Sequence, residues 1–162
     1  MRARLTAVQI AEDVFEIAVD TPADAQRLAL ELRKIGLAED VVAGINRVAV
    51  SFDPARHDQV MAWMDDLPQT VPTNEAPPPA VDIPIQYGGE FGPDLANVCA
   101  ALGMTQAAFV DLHSSCTHAV DMIGFTPGFT YISGLPDSVS VPRLDMPRPR
   151  LIAGSVGISG AL

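Results

Sequence analysis

Apolar and polar positions alternate along the first seventy residues in a way that switches between two periods. Leu5–Ile10 and Val14–Val19 read as strands, the second with a clear period of two, and Asp13 marks the turn between them. Thr21-Pro22 then opens a helix, with Thr as N-cap and Pro in the first turn. Leu28, Leu32 and Ile35 form its apolar stripe and Gly36 ends it. Val41–Ile45 and Val48–Phe52 read as a second strand pair. Asp53-Pro54 starts another helix, with Val60, Trp63, Met64 and Leu67 inward. The order ββαββα predicts one sheet with one face buried under two helices.

Residues 68–84 break the pattern. Pro68, Pro72, Pro77-Pro78-Pro79 and Pro84 predict an extended, fairly stiff linker. It divides the chain into a domain over residues 1–67 and a second over 85–162. Beyond it, Val81–Tyr87 reads as a strand and Gly88-Gly89 as a turn. Pro93-Asp94 opens a helix striped by Leu95, Val98, Cys99 and Leu102, ended by Gly103. Thr105 caps a further helix with Phe109, Leu112, His113 and Cys116 on one face. Ala119–Phe125, Phe129–Ser133 and Ala153–Ile158 read as strands broken by Gly and Pro. The fold class is α+β.

Composition narrows the function. The apolar fraction of 48% suffices for a core, and no run reaches the ~20 apolar residues a membrane span needs. The N-terminus lacks the apolar stretch of a secretion signal, so a cytoplasmic protein without a membrane partner is expected. A net charge of −10 argues against nucleic acid. Cys99 and Cys116 read as reduced thiols. Lys34 is the sole lysine and sits in Arg33-Lys34-Ile35-Gly36, which is neither the Gly-Lys-Ser/Thr of a phosphate loop, nor the Met-Lys-Met setting of a biotin acceptor, nor part of a Ser-Ser-Lys amidase system. The second half's only basic side chains besides its histidines are Arg143, Arg148 and Arg150, held within eight residues between Pro142, Pro147 and Pro149. That cluster suits either a solvated loop or a site for an anion or a partner carboxylate.

Three motifs carry the most information. Gly124-Phe125-Thr126-Pro127-Gly128-Phe129-Thr130-Tyr131 combines free and fixed backbone with large aromatic area, as a turn at a surface site would. Ile83 to Leu95 contains Gly88-Gly89-Glu90-Phe91-Gly92-Pro93-Asp94. Pro147-Arg148-Pro149-Arg150 precedes Ala153-Gly154-Ser155-Val156-Gly157. In this order they resemble the family of allophanate hydrolase subunit 1 and the KipI-like proteins, the carboxyltransferase domain with subdomains C and D. That family includes the B subunit of ATP-dependent 5-oxoprolinase. The resemblance is close over residues 80–160 and loose before them.

The resemblance implies a small two-layer α/β domain followed by a cyclophilin-like β-barrel. The family's barrel has a further segment after the position of Leu162, so a C-terminally incomplete barrel is expected. Two departures stand out. The first hairpin reads Ala11-Glu12-Asp13-Val14, where the family carries Gly-Asp-x-Ala, and His118 replaces a frequent aromatic residue.

Function follows from the resemblance. It implies a non-autonomous member of an allophanate hydrolase-like or 5-oxoprolinase complex, inactive alone. Its partners would be a protein like allophanate hydrolase subunit 2 (the C subunit of 5-oxoprolinase) and the A subunit of 5-oxoprolinase. No cofactor and no metal is expected in this chain, and ATP enters only at the level of the complex. The alternative is a KipI-like module that inhibits a sensor histidine kinase. No catalytic set is evident; His113, matching a histidine the family keeps, is the best candidate. A buried histidine with one hydrogen bond is its plain structural alternative. Glu90, Phe125, Pro127, Phe129, Tyr131, Arg143, Arg148, Arg150 and Ser155 complete the substrate- or partner-binding candidates. Ser155 does not sit in a Gly-x-Ser-x-Gly elbow, so its hydroxyl is a ligand contact rather than a nucleophile. Cys116 and His118 read as structural, and Asp94 as a carboxylate favoured at a helix start.

Overall fold

A computed structural model describes residues 5–67, 71 and 79–160. The chain divides into two compact units. The first runs from Met1 to Pro77 and takes in Asp121–Thr130; the second comprises Pro78–Val120 and Tyr131–Leu162.

The first unit follows the chain order β1 (Ala7–Ala11), β2 (Val14–Ala18), α1 (Pro22–Arg33), β3 (Asp40–Ala43), β4 (Arg47–Ser51), a 3-10 turn (Pro54–Arg56) and α2 (His57–Asp65). Its sheet has the order β1-β2-β4-β3, antiparallel throughout. Register places Phe15 beside Val50 and Val41, and Ile17 beside Val48 and Ala43. These six form the buried sheet face. Leu28, Leu32, Ala25 and Ala29 of α1 and Val60 and Met64 of α2 join the same core. Phe15 and Phe52 stack with ring centroids 5.4 Å apart. The alternation of β2 and the 3.6-residue spacing of α1 thus serve one core.

Local chemistry starts α1. Thr21 is extended, its hydroxyl accepts from the Asp24 N–H at 3.1 Å and donates to the Asp24 carboxylate at 2.8 Å. Arg27 holds the other carboxylate oxygen, so buried Asp24 is fully partnered. α1 stops at Arg33, one turn before Gly36, which leaves Ile35 exposed rather than on the stripe.

The second unit holds α3 (Leu95–Leu102) and α4 (Gln106–Ser115), which meet at 90° across Gly103, a left-handed C-cap, and Thr105, the N-cap of α4. Cys99, Phe109 and Val139 form its small core, lined by Tyr87, Leu95, Val98, Leu102 and Leu112. The hairpin β5 (Ala119–Ile123) and β6 (Thr130–Ser133) forms a two-stranded sheet.

Two expected strands are corrected. Residues 81–87 lie in no ladder: Val81 and Ile83 are 77% and 76% exposed, and Pro84 removes a donor. Residues 153–158 form no strand either; Val141 and Gly160 make one isolated bridge there. A strand exists only where a neighbour completes its ladder, which alternation alone does not guarantee. Among the described residues no closed barrel is formed. Most of the proline-rich stretch, residues 68–70 and 72–78, lies outside the described residues, while Val71 is buried in the first unit's core. Among the described residues no single helix is long and apolar enough to cross a membrane.

Candidate functional site

The second unit concentrates its polar chemistry around His113. Helical spacing puts His113 on the face of Phe109, and it is only 7% exposed. The Tyr87 hydroxyl forms a 2.7 Å hydrogen bond with His113 Nδ1. The Tyr87 ring meets the imidazole edge-on at 5.6 Å, and Phe109 lies at 5.8 Å. His118 packs on the imidazole at 4.8 Å, and its Nε2–H donates to the His113 carbonyl at 3.2 Å. That bond fixes the His118 tautomer, leaving Nδ1 unprotonated when the ring is neutral. Burial, and secondarily the charge of His118, push the His113 pKa below its ordinary value. Burial raises that of Tyr87.

Tyr87 leads directly into the Gly88–Asp94 turn. Gly88 and Gly89 have positive φ, and the Gly92 N–H donates to the Gly88 carbonyl at 2.9 Å. A Cβ on Gly92 would stand 2.4 Å from the Gly88 nitrogen, so that turn admits no side chain there. Gly134 is equally constrained: its Cβ would lie 2.4 Å from the Thr117 carbonyl and 3.2 Å from His118 Nδ1. Gly134 thus lets the backbone pass close to His118.

Asp94 occupies the N-cap position of α3 but makes no side-chain cap bond. Its carboxylate instead receives Arg148, in an ion pair about two-fifths exposed at each end. Arg143 donates to the Ser159 hydroxyl at 3.1 Å, and Arg150 is exposed. Arg148 therefore has an intramolecular anion of its own. Glu90 is exposed on the glycine turn. Ser155 donates to the Ile152 carbonyl at 2.7 Å, and the Cys116 thiol to the Leu112 carbonyl at 3.2 Å. Among the described residues no three or more His, Cys, Asp or Glu groups are placed to hold a metal.

The first unit carries the tip of the β5–β6 hairpin. The Gly124 N–H donates to the Phe129 carbonyl at 3.1 Å, and the Phe129 N–H to the Thr126 carbonyl at 3.0 Å. The Thr126 N–H closes a γ-turn on the Gly124 carbonyl at 2.8 Å, with Phe125 at its centre and φ +67°. Phe125 alone, among described non-glycine residues, has positive φ. For a bulky residue this costs about 1–3 kcal/mol. Its ring is 87% exposed and meets the Phe129 ring edge-on at 5.7 Å. Pro127 lies exposed between them, and Tyr131 follows half-buried on β6. A separate open cleft of about 250 Å³ in the first unit is lined by Gln26, Arg33, Asp40 and Ile123. Its polar groups are engaged: Arg33 donates to the Val41 carbonyl at 2.6 Å, and Gln26 to the Asp121 carbonyl at 3.3 Å.

The structure therefore brings His113 together with Tyr87 and His118, and Arg148 with Asp94. Sequence reasoning missed Tyr87 and the role of His118. The available signal for Tyr87 was its place as the last residue before the glycine turn. Chemically, a hydrogen-bonded phenol–imidazole pair can hold or move a proton. Neither Cys116 nor Ser155 is posed beside it as a nucleophile, since both donate to local carbonyls.

A protein family described as "Carboxyltransferase domain, subdomain C and D" matches residues 3–162. The chain is 34% identical over 140 residues to the 5-oxoprolinase B subunit of Escherichia coli O157:H7, covering 83% of this chain and 62% of that protein. It is 32% identical over 161 residues to the 5-oxoprolinase B subunit of Haemophilus influenzae, covering 95% and 76%. The chain thus spans less than two thirds of the length of the Escherichia coli relative. The crystal structure of TTHA0988 superposes with a TM-score of 0.69 at 29% identity, over 91% of this chain and 30% of that one.

Proposed function

Because the chain belongs to the carboxyltransferase domain, subdomain C and D family, we propose that it is a non-autonomous component of a 5-oxoprolinase-type, allophanate hydrolase-like assembly. The observation that carries this reading is its identity with proteins named as the B subunit of 5-oxoprolinase. In this reading the chain acts in the cytoplasm with a homologous protein of the C-subunit type and a third of the A-subunit type. ATP is consumed by the assembly in opening a lactam amide, and this chain holds no cofactor. The second unit is part of a cyclophilin-like barrel, and the first is the two-layer ββαββα domain. The boundaries read from the sequence, 1–67 and 85–162, differ from the compact units in that residues 121–130 cluster with the first unit.

His113 is the residue proposed to touch substrate. A neutral imidazole, held by Tyr87 through Nδ1 and kept neutral by burial, suits proton transfer to or from an amide. Glu90 and Arg150 are exposed contacts for substrate or partner, and Arg143, Arg148 and Ser155 border the same loops.

Reconstitution tests the proposal. The chain is mixed with purified proteins of the C-subunit and A-subunit types, and ATP-dependent glutamate formation from 5-oxoproline is followed. Turnover is expected only in the full mixture, with a loss of at least ~100-fold on His113→Ala. Equal turnover without this chain would overturn the subunit reading. Full activity of His113→Ala would remove the histidine from the chemistry and leave the assembly intact.

A further inference from the structure

We propose that Phe125 is the anchor by which the β5–β6 hairpin tip docks into an uncharged, apolar pocket on the homologous partner protein. This deepens the reading of the chain as one component of an assembly and rests on it.

Phe125 sits where glycine would be unstrained. It is flanked within three residues by Gly124 and Gly128, yet the chain places a phenylalanine at φ +67°. Burial does not offset that strain, because the ring is 87% exposed. A bulky residue in a strained turn with nothing covering it is held for a contact outside the unit. The tip is also preorganised. Three backbone hydrogen bonds close it, Pro127 fixes one φ, and Phe129 packs edge-on against the Phe125 ring. Little backbone freedom at the tip is left to lose on docking, which favours affinity.

The geometry selects the class of partner. A protruding hairpin tip cannot enclose a small molecule, so the concave surface belongs to the other party. Residues 122–136 contain no Asp, Glu, Lys, Arg or His, in a chain of net charge −10. An anionic bilayer is repelled by such a chain and gains no basic contact from the tip. An apolar pocket on a protein takes one rigid aromatic ring at its centre with a second beside it, the usual composition of an interface hot spot.

The test is binding of the chain to the purified C-subunit-type protein by calorimetry, with Phe125→Gly and Phe125→Asn. Both substitutions tolerate positive φ, so the melting temperature is expected to hold or rise. The dissociation constant is expected to rise at least ~30-fold. A purely structural Phe125 would lower the melting temperature, and that outcome overturns the proposal. Unchanged affinity with both variants overturns the anchor and leaves the assembly reading standing. No binding by the unmodified chain overturns both. Flotation with neutral phosphatidylcholine vesicles that is lost in the variants replaces the protein pocket with a lipid surface.

Discussion

The hydroxyl of Tyr87 and Nδ1 of His113 are 2.7 Å apart although 26 positions separate them in the chain. The bond ties the residue before the glycine turn to the buried face of α4. Burial of the same imidazole gives this histidine a pH-dependent share in stability. The folded state lowers the pKa of His113 below 6.5 through burial first and the charge of His118 second. The unfolded chain therefore binds a proton at higher pH than the folded one. Stability from this group is complete above about pH 6.5 and falls as pH drops through the depressed folded value. Hydrogen exchange over residues 87–118 should show weakening protection between pH 7 and pH 5. His113→Phe should flatten that dependence. A profile that weakens instead toward alkaline pH would contradict the assignment.

Removing only the hydroxyl isolates the bond. Tyr87→Phe leaves the edge-on ring contact and deletes the partner of a buried ring nitrogen. A loss of about 1–3 kcal/mol is expected, the cost of an unpaired buried polar group. Urea titration followed by far-ultraviolet circular dichroism measures it, and a loss under half a kcal/mol would mean that water replaces the hydroxyl.

Gly92 and Gly89 lie in one turn but differ sharply. A methyl group at Gly92 meets backbone at 2.4 Å, while at Gly89 nothing lies within 4 Å. Gly89→Ala faces only its φ of +59°, worth about 1–2 kcal/mol. Gly92→Ala must move the turn itself and should cost more, about 3 kcal/mol, with displaced Tyr87 resonances. Equal effects of the two in a thermal melt would show that the turn yields easily.

What the sequence made legible was local. The Thr21 and Thr105 caps, the Gly103 stop and Leu28 and Leu32 of the α1 stripe depend on residues within one turn of each other, and these formed, while Ile35 fell outside the helix. The strands expected at 81–87 and 153–158 depended on neighbours that alternation does not specify, and neither formed. At the site, His113 was visible from its helical spacing with Phe109. Tyr87 was not, because a contact across 26 residues leaves no periodic trace. The strain at Phe125 was hidden for another reason: positive φ is read from glycine, and here the bulky residue between two glycines carries it.

The pairing of Arg148 with Asp94 changes what that arginine is expected to do. Both side chains are about two-fifths exposed, so the pair is screened and worth at most about 1 kcal/mol. Arg148→Ala and Asp94→Ala should each reduce stability slightly, and the double variant should cost little more than either. The coupling should shrink between about 0.05 and 1 M salt. Additive losses in the double-mutant cycle would show that the two groups act separately and that Arg148 is available to an outside anion.

The isolated chain should hydrolyse neither 5-oxoproline nor allophanate, with or without ATP. Amide hydrolysis of these unactivated substrates needs a nucleophile, a base and a means of activating the carbonyl. The histidine pair can supply a base. Cys116 and Ser155 are each turned to a carbonyl about one turn away or less and are not posed on it. The sole lysine, Lys34, ion-pairs with Glu31 of α1 in the first unit. Among the described residues this leaves a proton-handling pair with neither Cys116 nor Ser155 posed beside it as a nucleophile. Steady-state assays with each substrate at millimolar concentration decide it. Turnover by the chain alone that disappears in Cys116→Ala would identify the thiol as a nucleophile that turns from Leu112 toward His113. Turnover that disappears only in His113→Ala would place a water-based hydrolysis within this chain, and the dependence on a further protein would be lost.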